Sequence, residues 1–124
     1  MSYDKISDVK IGDVIYIEVD FSEGLQTKRR PCLAIKVAER ELGRFPIYSF
    51  RESGYESQKE EVKRVLYEIK DWTMAGLSRI SWVNVANYEI VNPAYLNIEI
   101  IGKFTKKDID GLIEFYKNYL SHLN

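Results

Sequence analysis

The chain of 124 residues contains one cysteine, one histidine and three prolines, and the first two counts exclude specific kinds of site. A single cysteine cannot form an internal disulfide bond, and Cys32 lies in an apolar stretch that predicts a buried small hydrophobe rather than a nucleophile. His122 has no second histidine to help it bind a metal, so we expect no metal site. No glycine-rich phosphate loop is present, and we expect no cofactor.

The sequence also lacks long apolar runs and a strong net charge. No run is long enough to cross a bilayer, and the first ten residues lack the apolar core of a signal peptide, so we expect a cytoplasmic protein with no membrane partner. Lysine and arginine total 18, aspartate and glutamate total 19, and the formal net charge is -1. Non-specific affinity for nucleic acid depends on cationic contacts to phosphate, so any such site must be a local patch.

Length and composition predict one folded domain. An apolar content of 45% is ordinary for a globular protein and gives no reason to expect disorder. A chain of this size most simply builds a single core, so we expect one domain over residues 1–124.

A cationic corner between two strands is the most distinctive local feature. Residues 13–21 alternate apolar with polar side chains, which predicts a strand with one buried face. Turn-forming residues follow, and then Lys28, Arg29 and Arg30 directly precede Pro31, after which the chain is apolar again. The planar donors of arginine suit phosphate, and a position at a strand entrance would limit the entropy lost on binding.

Residues 26–44 carry most of the clustered positive charge. The cluster is either a nucleic-acid patch or an ordinary solvated face, and charge alone does not choose between them. For Arg30, the alternative to a phosphate contact is a structural ion pair with Glu18 or Asp20. The cations of the cluster are Lys28, Arg29, Arg30, Lys36, Arg40 and Arg44.

Further strands and a terminal helix are predicted downstream. We expect a turn at Leu42 and Gly43, then strands at residues 46–50, 81–91 and 98–104. Residues 62–69 fit either a helix or a strand. Thr105 and Asp108 resemble a helix capping arrangement, and apolar residues then recur at helical spacing in a stripe that should pack on the sheet. The stripe consists of Ile109, Leu112, Ile113, Tyr116, Leu120 and Leu123.

The motif GDVIYIEVDFSEG followed by KRRP resembles the PemK/MazF-like toxin family of bacterial toxin–antitoxin systems. The second half of the family's sequences is similar to two later motifs of this chain, AGLSRISWVNV and IGKFTKKD. The resemblance therefore covers nearly the whole chain. It implies a mainly β fold with a C-terminal helix, built as a small SH3-like barrel. It also favours a strand over residues 63–71.

The resemblance implies a set of catalytic residues. Arg30 matches the arginine that takes part in catalysis in active family members. A threonine hydroxyl belongs beside it, but counting from Pro46 places Tyr48 at that position, with Ser49 next. Adjacent strand residues point to opposite faces, so both hydroxyls can face the arginine only with a bulge. Which of the two replaces the threonine stays open.

Contacts to RNA are expected from cations and one aromatic ring. Lys28 and Arg29 flank the catalytic candidate and are predicted to contact phosphate. Single-stranded RNA is usually held by aromatic stacking beside a cationic groove. Tyr55 lies in the hydrophilic stretch 51–64 and is the best exposed candidate for a base contact.

The implied function is a metal-independent, sequence-selective endoribonuclease that cleaves single-stranded RNA through a 2',3'-cyclic phosphate. Its expected partners are a second copy of the chain, as a homodimer, and a cognate antitoxin whose partly disordered tail occupies the basic groove. Because the threonine is missing, the alternative is a catalytically inactive SH3-like barrel that binds RNA or a protein partner.

Overall fold

The protein folds as a seven-stranded antiparallel sheet followed by a helix, in a computed structural model that describes residues 3–19 and 29–123. The prediction of a mainly β fold with a C-terminal helix is confirmed. Single 3-10 turns lie at Ile6–Asp8 and Pro93–Tyr95. The remaining elements are β1 (Asp13–Val19), β2 (Arg30–Val37), β3 (Leu42–Tyr48), α1 (Glu60–Lys63), β4 (Leu66–Glu68), β5 (Trp82–Asn84), β6 (Glu89–Val91), β7 (Leu96–Lys103) and α2 (Lys106–Ser121).

The sheet is barrel-like but not closed within the described residues. Its strands lie in the order β4, β5, β3, β2, β1, β7, and β6 also pairs with β3. The register shifts between Val14 and Ile15 where β1 meets β7, and between Ala34 and Lys36 where β2 meets β3. Such irregularities bend a strand and increase its twist, which accounts for a small sheet curving towards a barrel.

Alternation along the strands creates one apolar cluster on each face of the sheet. Val14 and Leu33 pair across β1 and β2 and belong to the larger cluster, which α2 covers. Ile15 and Cys32 are the next pair, and they belong to the second cluster together with Val9 and other residues. The predicted period of two in β1 therefore serves two buried faces.

Helix α2 begins as predicted, but a different stripe packs on the sheet. Thr105 Oγ1 accepts a hydrogen bond from the Asp108 amide at 3.4 Å, which makes Thr105 the N-cap. Leu112 is buried, whereas Ile109 and Ile113 of the predicted stripe are exposed. Aromatic residues that the predicted stripe mostly omitted pack beside Leu112 instead, namely Phe115, Tyr116 and Tyr119.

The predicted turn at Leu42 and Gly43 is wrong. Both residues are buried in β3, opposite Val37 and Lys36 of β2. The chain reverses earlier, where the Ala38 amide donates to the Glu41 carbonyl at 3.0 Å. The polar run at residues 38–41 is the actual turn, and β3 reaches from the turn to Tyr48.

Two of the predicted strands are broken into shorter elements. Residues 63–71 contain the end of α1 and only three strand residues, so both of the open interpretations of residues 62–69 were partly right. Residues 81–91 form β5 and β6, separated by a turn at 85–86. The last two residues of the predicted first strand, Asp20 and Phe21, lie outside the described residues.

Candidate functional site

A cleft of about 470 Å³ lies at the end of the sheet where β2 begins and β3 ends. These ends meet because the two strands are antiparallel, with Cys32 opposite Pro46. Tyr48, the last residue of β3, pairs with Trp82 of β5, so the segment that leads into β5 reaches the same place. The described residues that line the cleft include no acidic residue and four arginines, which are Arg29, Arg30, Arg51 and Arg79.

The structure brings all three predicted catalytic residues into this cleft. Arg30, Tyr48 and Ser49 all line it. Strand β3 ends at Tyr48, so the alternation that separates neighbouring side chains does not extend to Ser49. Both residues therefore line the cleft, although the alternation of a regular strand would have placed their side chains on opposite faces.

Arg29 is held by carboxylates. One of its terminal guanidinium nitrogens contacts Glu99, and its Nε lies 4.0 Å from Glu18. Its guanidinium also lies over the ring of Tyr16, 4.8 Å from the ring centroid, in a cation–π arrangement. These contacts link the start of β2 to β1 and β7, and they offset much of the charge of Arg29.

Arg30 is exposed at the first position of β2, opposite Ile17. Within residues 3–19 and 29–123, no carboxylate lies within 4.0 Å of its guanidinium. The ion pair with Glu18 that the sequence allowed is made by Arg29 instead, and Asp20 lies outside the described residues. The charge of Arg30 is therefore available to an anion in the cleft.

The cationic cluster of residues 26–44 does not form one patch. Lys36 pairs with Glu41 at 2.6 Å, and Arg44 pairs with Glu89 at 2.6 Å. The positive charge of the cleft comes partly from elsewhere in the chain, because Arg51 follows β3 and Arg79 precedes β5. Neither arginine was predicted from the sequence, although Arg79 lies within the motif AGLSRISWVNV.

A hydrogen bond between residues two positions apart orders the segment that carries Arg79. The buried Ser81 hydroxyl donates to the Arg79 carbonyl at 2.9 Å, and the Ile69 amide donates to the Ser81 carbonyl at 3.0 Å. Ser78 and Ser81 also line the cleft, together with Tyr16. Ser78 and Tyr16 therefore bring hydroxyl groups to the same cleft as the arginines, whereas the proton of Ser81 is donated to the Arg79 carbonyl.

Tyr55 does not line the cleft. Its ring stacks on Trp82 at 4.6 Å between centroids with an interplanar angle of 11°, and the ammonium of Lys63 lies 5.3 Å from its ring centroid. Burial, followed by the negative charges of Glu56 and Glu68, raises the pKa of the Tyr55 phenol. The neutral ring is thus already engaged with protein groups, and its role in base stacking stays a prediction.

The other predicted contact and the cysteine add little to the cleft. Lys28 lies outside the described residues. Cys32 is fully buried, and burial raises the pKa of its thiol to about 12. A thiol held neutral in this way is a poor nucleophile, in agreement with its predicted role as a buried hydrophobe.

The described part of the chain has neither a cluster of metal ligands nor a membrane-spanning helix. No group of three or more histidine, cysteine, aspartate or glutamate side chains that could hold a metal ion occurs there. None of its helices has the length and apolar character needed to cross a membrane.

A curved antiparallel sheet, one covering helix and an arginine-lined cleft together define a small barrel-like fold with a site suited to anions. No protein-family model matches the chain, and no curated protein matches its sequence. The MazE–MazF crystal structure from Deinococcus radiodurans is similar to it, with a TM-score of 0.62 and 14% identity over 91% of this chain and 96% of that one.

A second similar structure is an endoribonuclease in complex with its cognate antitoxin from a mycobacterial species. Its TM-score is 0.56 at 13% identity, over 92% of this chain and 97% of that one. At such identities the likeness establishes the fold. The chain therefore has the MazF-like fold that its sequence motifs predicted.

Proposed function

We propose that the protein is an endoribonuclease that cleaves single-stranded RNA without a metal, as the toxin of a toxin–antitoxin pair. The observation that carries this proposal is that Arg30, Tyr48 and Ser49 line one cleft. Arg30 is exposed there, and it has no carboxylate partner among the described residues. The MazF-like fold supports the same assignment, since one similar structure is a MazE–MazF structure and the other is an endoribonuclease in complex with its cognate antitoxin.

In the proposed reaction, the ribose 2'-oxygen attacks the adjacent phosphorus and the bond to the 5'-oxygen breaks. The 2'-hydroxyl loses a proton and the leaving 5'-oxygen gains one, so the products are a 2',3'-cyclic phosphate and a 5'-hydroxyl. Charge on the nonbridging oxygens increases in the transition state, and Arg30 is positioned to stabilise it. The cleft is open to solvent, so water can carry both protons.

Ser49 and Tyr48 are the candidates for the hydroxyl that the family's threonine supplies. Ser49 is exposed. Its side chain is shorter than that of Tyr48 and is chemically closer to threonine. Tyr48 is partly buried at the end of β3. We propose Ser49 as the donor to a nonbridging phosphoryl oxygen and Tyr48 as a contact to the neighbouring ribose or base.

The proposed partners are single-stranded RNA, a cognate antitoxin and a second copy of the chain. A flexible acidic segment of an antitoxin would be attracted by the unpaired arginines of the cleft and would block RNA at the same place. Lys28 and Arg29 remain proposed RNA contacts beside Arg30, and Tyr55 remains a proposed base contact outside the cleft.

The test is incubation of purified protein with a long single-stranded RNA in excess EDTA, followed by mapping of the cut ends. We expect discrete cuts with 5'-hydroxyl ends from the wild type. Arg30→Ala should lower the cleavage rate at least about 100-fold, because removing one preorganised transition-state donor typically has an effect of this size. Arg40→Ala is the matched control, since Arg40 is an exposed arginine in the turn at the far end of the β2–β3 hairpin.

Absence of cutting on several varied RNAs, from folded protein free of antitoxin, would contradict the ribonuclease proposal. Retained RNA binding under those conditions would support the second candidate, a catalytically inactive barrel. The observation that favours this candidate is the tyrosine–serine pair in place of the threonine.

A further inference from the structure

Three of the four arginines in the cleft have no carboxylate partner among the described residues. Arg29 contacts Glu18 and Glu99, but within residues 3–19 and 29–123 no carboxylate lies within 4.0 Å of Arg30, Arg51 or Arg79. Among the other described cations of the β2–β3 hairpin, Lys36 and Arg44 are paired, whereas Arg40 is exposed in the turn at the far end. In a chain with a net charge of -1, three arginines without a described carboxylate partner thus line one cleft.

The three unpaired arginines come from three separate elements. Arg30 begins β2, Arg51 follows the end of β3, and Arg79 belongs to the segment between Leu77 and Trp82. Like charges repel, so three exposed guanidiniums around one cleft cost free energy unless an anion neutralises them. The hydrogen bond from Ser81 holds the backbone at Arg79, so part of this arrangement exists before any ligand binds.

A single phosphodiester carries one negative charge, which one arginine can match. A cleft of about 470 Å³ with three available guanidiniums on different walls matches a chain of consecutive phosphates better than a single one. Four other hydroxyl-bearing residues that line the same cleft, Tyr16, Tyr48, Ser49 and Ser78, can add donors for nonbridging and ribose oxygens.

We propose that Arg51 and Arg79 bind the phosphodiesters that flank the one held by Arg30. This inference rests on the proposed function and specifies its substrate as a single strand with at least three consecutive phosphodiesters at the cleft. Cleavage then occurs within a chain, and a dinucleotide, which has one phosphodiester, is a poor ligand. Arg51 and Arg79 are binding residues, so their loss raises KM and leaves kcat nearly unchanged.

The test measures binding separately from cleavage. A fluorescent single-stranded hexanucleotide with 2'-O-methyl groups throughout cannot be cut, because the attacking hydroxyl is blocked. Its affinity is measured by anisotropy at several salt concentrations, for the wild type and for Arg51→Gln, Arg79→Gln and the control Arg40→Gln. We expect about tenfold weaker binding and a salt slope smaller by about 0.7 for each cleft variant, and no change for the control.

A second measurement places each arginine on a particular phosphate. Single methylphosphonate linkages, which are uncharged, are introduced at each position of the hexanucleotide. In the wild type we expect each of three consecutive positions to weaken binding. In Arg79→Gln, a methylphosphonate at one of the two flanking positions should no longer weaken binding. In Arg51→Gln, the same should hold for the other flanking position. This comparison does not depend on absolute stability, so a variant that is partly unfolded still gives an answer.

Unchanged affinity and salt slope in both cleft variants would overturn the inference, as would equal loss of sensitivity at all positions. An oligoglutamate peptide of the same charge could also be tested as a competitor of the labelled hexanucleotide. If it competed as well as an unlabelled hexanucleotide, the inference would be overturned in favour of an acidic protein segment as the occupant. The ribonuclease proposal is tested separately, since the wild type cuts or does not cut natural RNA whatever these binding measurements show.

Discussion

Arg29 and Arg30 are neighbours in the chain with opposite electrostatic surroundings. Arg29 is engaged by Glu18, Glu99 and the ring of Tyr16, whereas Arg30 has no carboxylate neighbour among the described residues. An arginine bound in this way must give up its partners before it can contact phosphate. Arg30 is therefore the arginine whose charge is available to the substrate, and Arg29 can make its proposed RNA contact only by giving up these partners.

Replacement of Arg29 should affect stability more than it affects catalysis. Arg29→Gln removes partly exposed ion pairs and a cation–π contact, so we expect the free energy of unfolding to fall by about 1 kcal/mol or less. Cleavage should stay within about threefold of the wild type if transition-state stabilisation comes from Arg30. Urea unfolding and the EDTA cleavage assay measure the two effects. A loss of activity as large as that of Arg30→Ala would contradict this division of roles.

The two hydroxyls at the end of β3 can be distinguished by paired variants. Ser49→Ala and Tyr48→Phe each remove one hydroxyl and little else, and we expect the serine change to lower kcat more, because it removes a donor to the reacting phosphate. The measurement is single-turnover cleavage of one mapped site. The reverse order would identify Tyr48 as the functional replacement for threonine.

The residues of the cleft were only partly predictable from the sequence. Arg30, Tyr48 and Ser49 were found because they lie in or beside recognisable motifs. Arg51 and Arg79 were not, because only the pairing of β3 with β2 and β5 brings them to Arg30. Conversely, the dense run of cations at 26–44 overstated the local charge, since long-range carboxylates such as Glu89 and Glu99 compensate several of them.

At the scale of elements, helix α2 is attached to the sheet through one buried carboxylate. Asp108 is fully buried and accepts hydrogen bonds from the Tyr67 hydroxyl at 2.7 Å and from the amides of Lys70 and Asp71 at 2.8 Å each. Thr105 adds a bond to the Asp71 carboxylate at 2.6 Å. The predicted cap was therefore right in position, but its acidic residue serves the segment after β4 rather than the helix alone.

Loss of this carboxylate should destabilise the protein strongly. In Asp108→Asn, one of the two oxygens becomes an NH₂ group that cannot accept a hydrogen bond from the facing donors. We expect the free energy of unfolding to fall by about 2 to 4 kcal/mol. Asp110→Asn is the matched control two residues away, where an exposed pair with Lys106 predicts a change within about 0.5 kcal/mol. Similar urea midpoints for the two variants would contradict the assigned role.

The long elements were predictable and the short ones were not. Strand β1 and helix α2 carry enough periodic residues for their type to be clear. Strands β4, β5 and β6 have three residues each, which is too few for a period to show. Their existence depends on pairing with other strands, because β6 pairs with the first three residues of β3, β5 pairs with its last two, and β4 pairs with β5. Such pairing is a property of the tertiary structure.

At the scale of the whole molecule, buried ionisable groups limit stability at high pH. Burial raises the pKa of Cys32 from 9.0 to about 12, and burial together with the Asp108 hydrogen bond raises the pKa of Tyr67 above its ordinary value of 10.0. Both groups keep their protons longer in the folded state than in the unfolded state. Their contribution is fully present below the unfolded pKa and is lost as the pH rises towards the folded one.

The free energy of unfolding should therefore decrease as the pH rises above about 9, by at most about 1.4 kcal/mol per pH unit for each group. Between pH 9 and 10 the thiol contributes most of this slope. Cys32→Ala should flatten the curve in that interval, even if the small cavity lowers stability at pH 7. Urea unfolding from pH 7 to 10.5 measures both curves. Parallel curves would contradict the contribution of Cys32.

One wall of the cleft is positioned by backbone packed against backbone. Gly76 has a φ of +78°, and a Cβ there would collide with the Ile101 carbonyl, while a Cβ on Gly102 would collide with the backbone of Ala75. The turn at Gly76 therefore packs so closely on β7 that there is room only for a glycine hydrogen, and not for a Cβ, at both positions. Because Arg79 follows three residues after Gly76, a methyl group added to Gly102 on the opposite strand would displace the cleft wall that carries Arg79. The position of this wall is thus partly determined by two missing side chains.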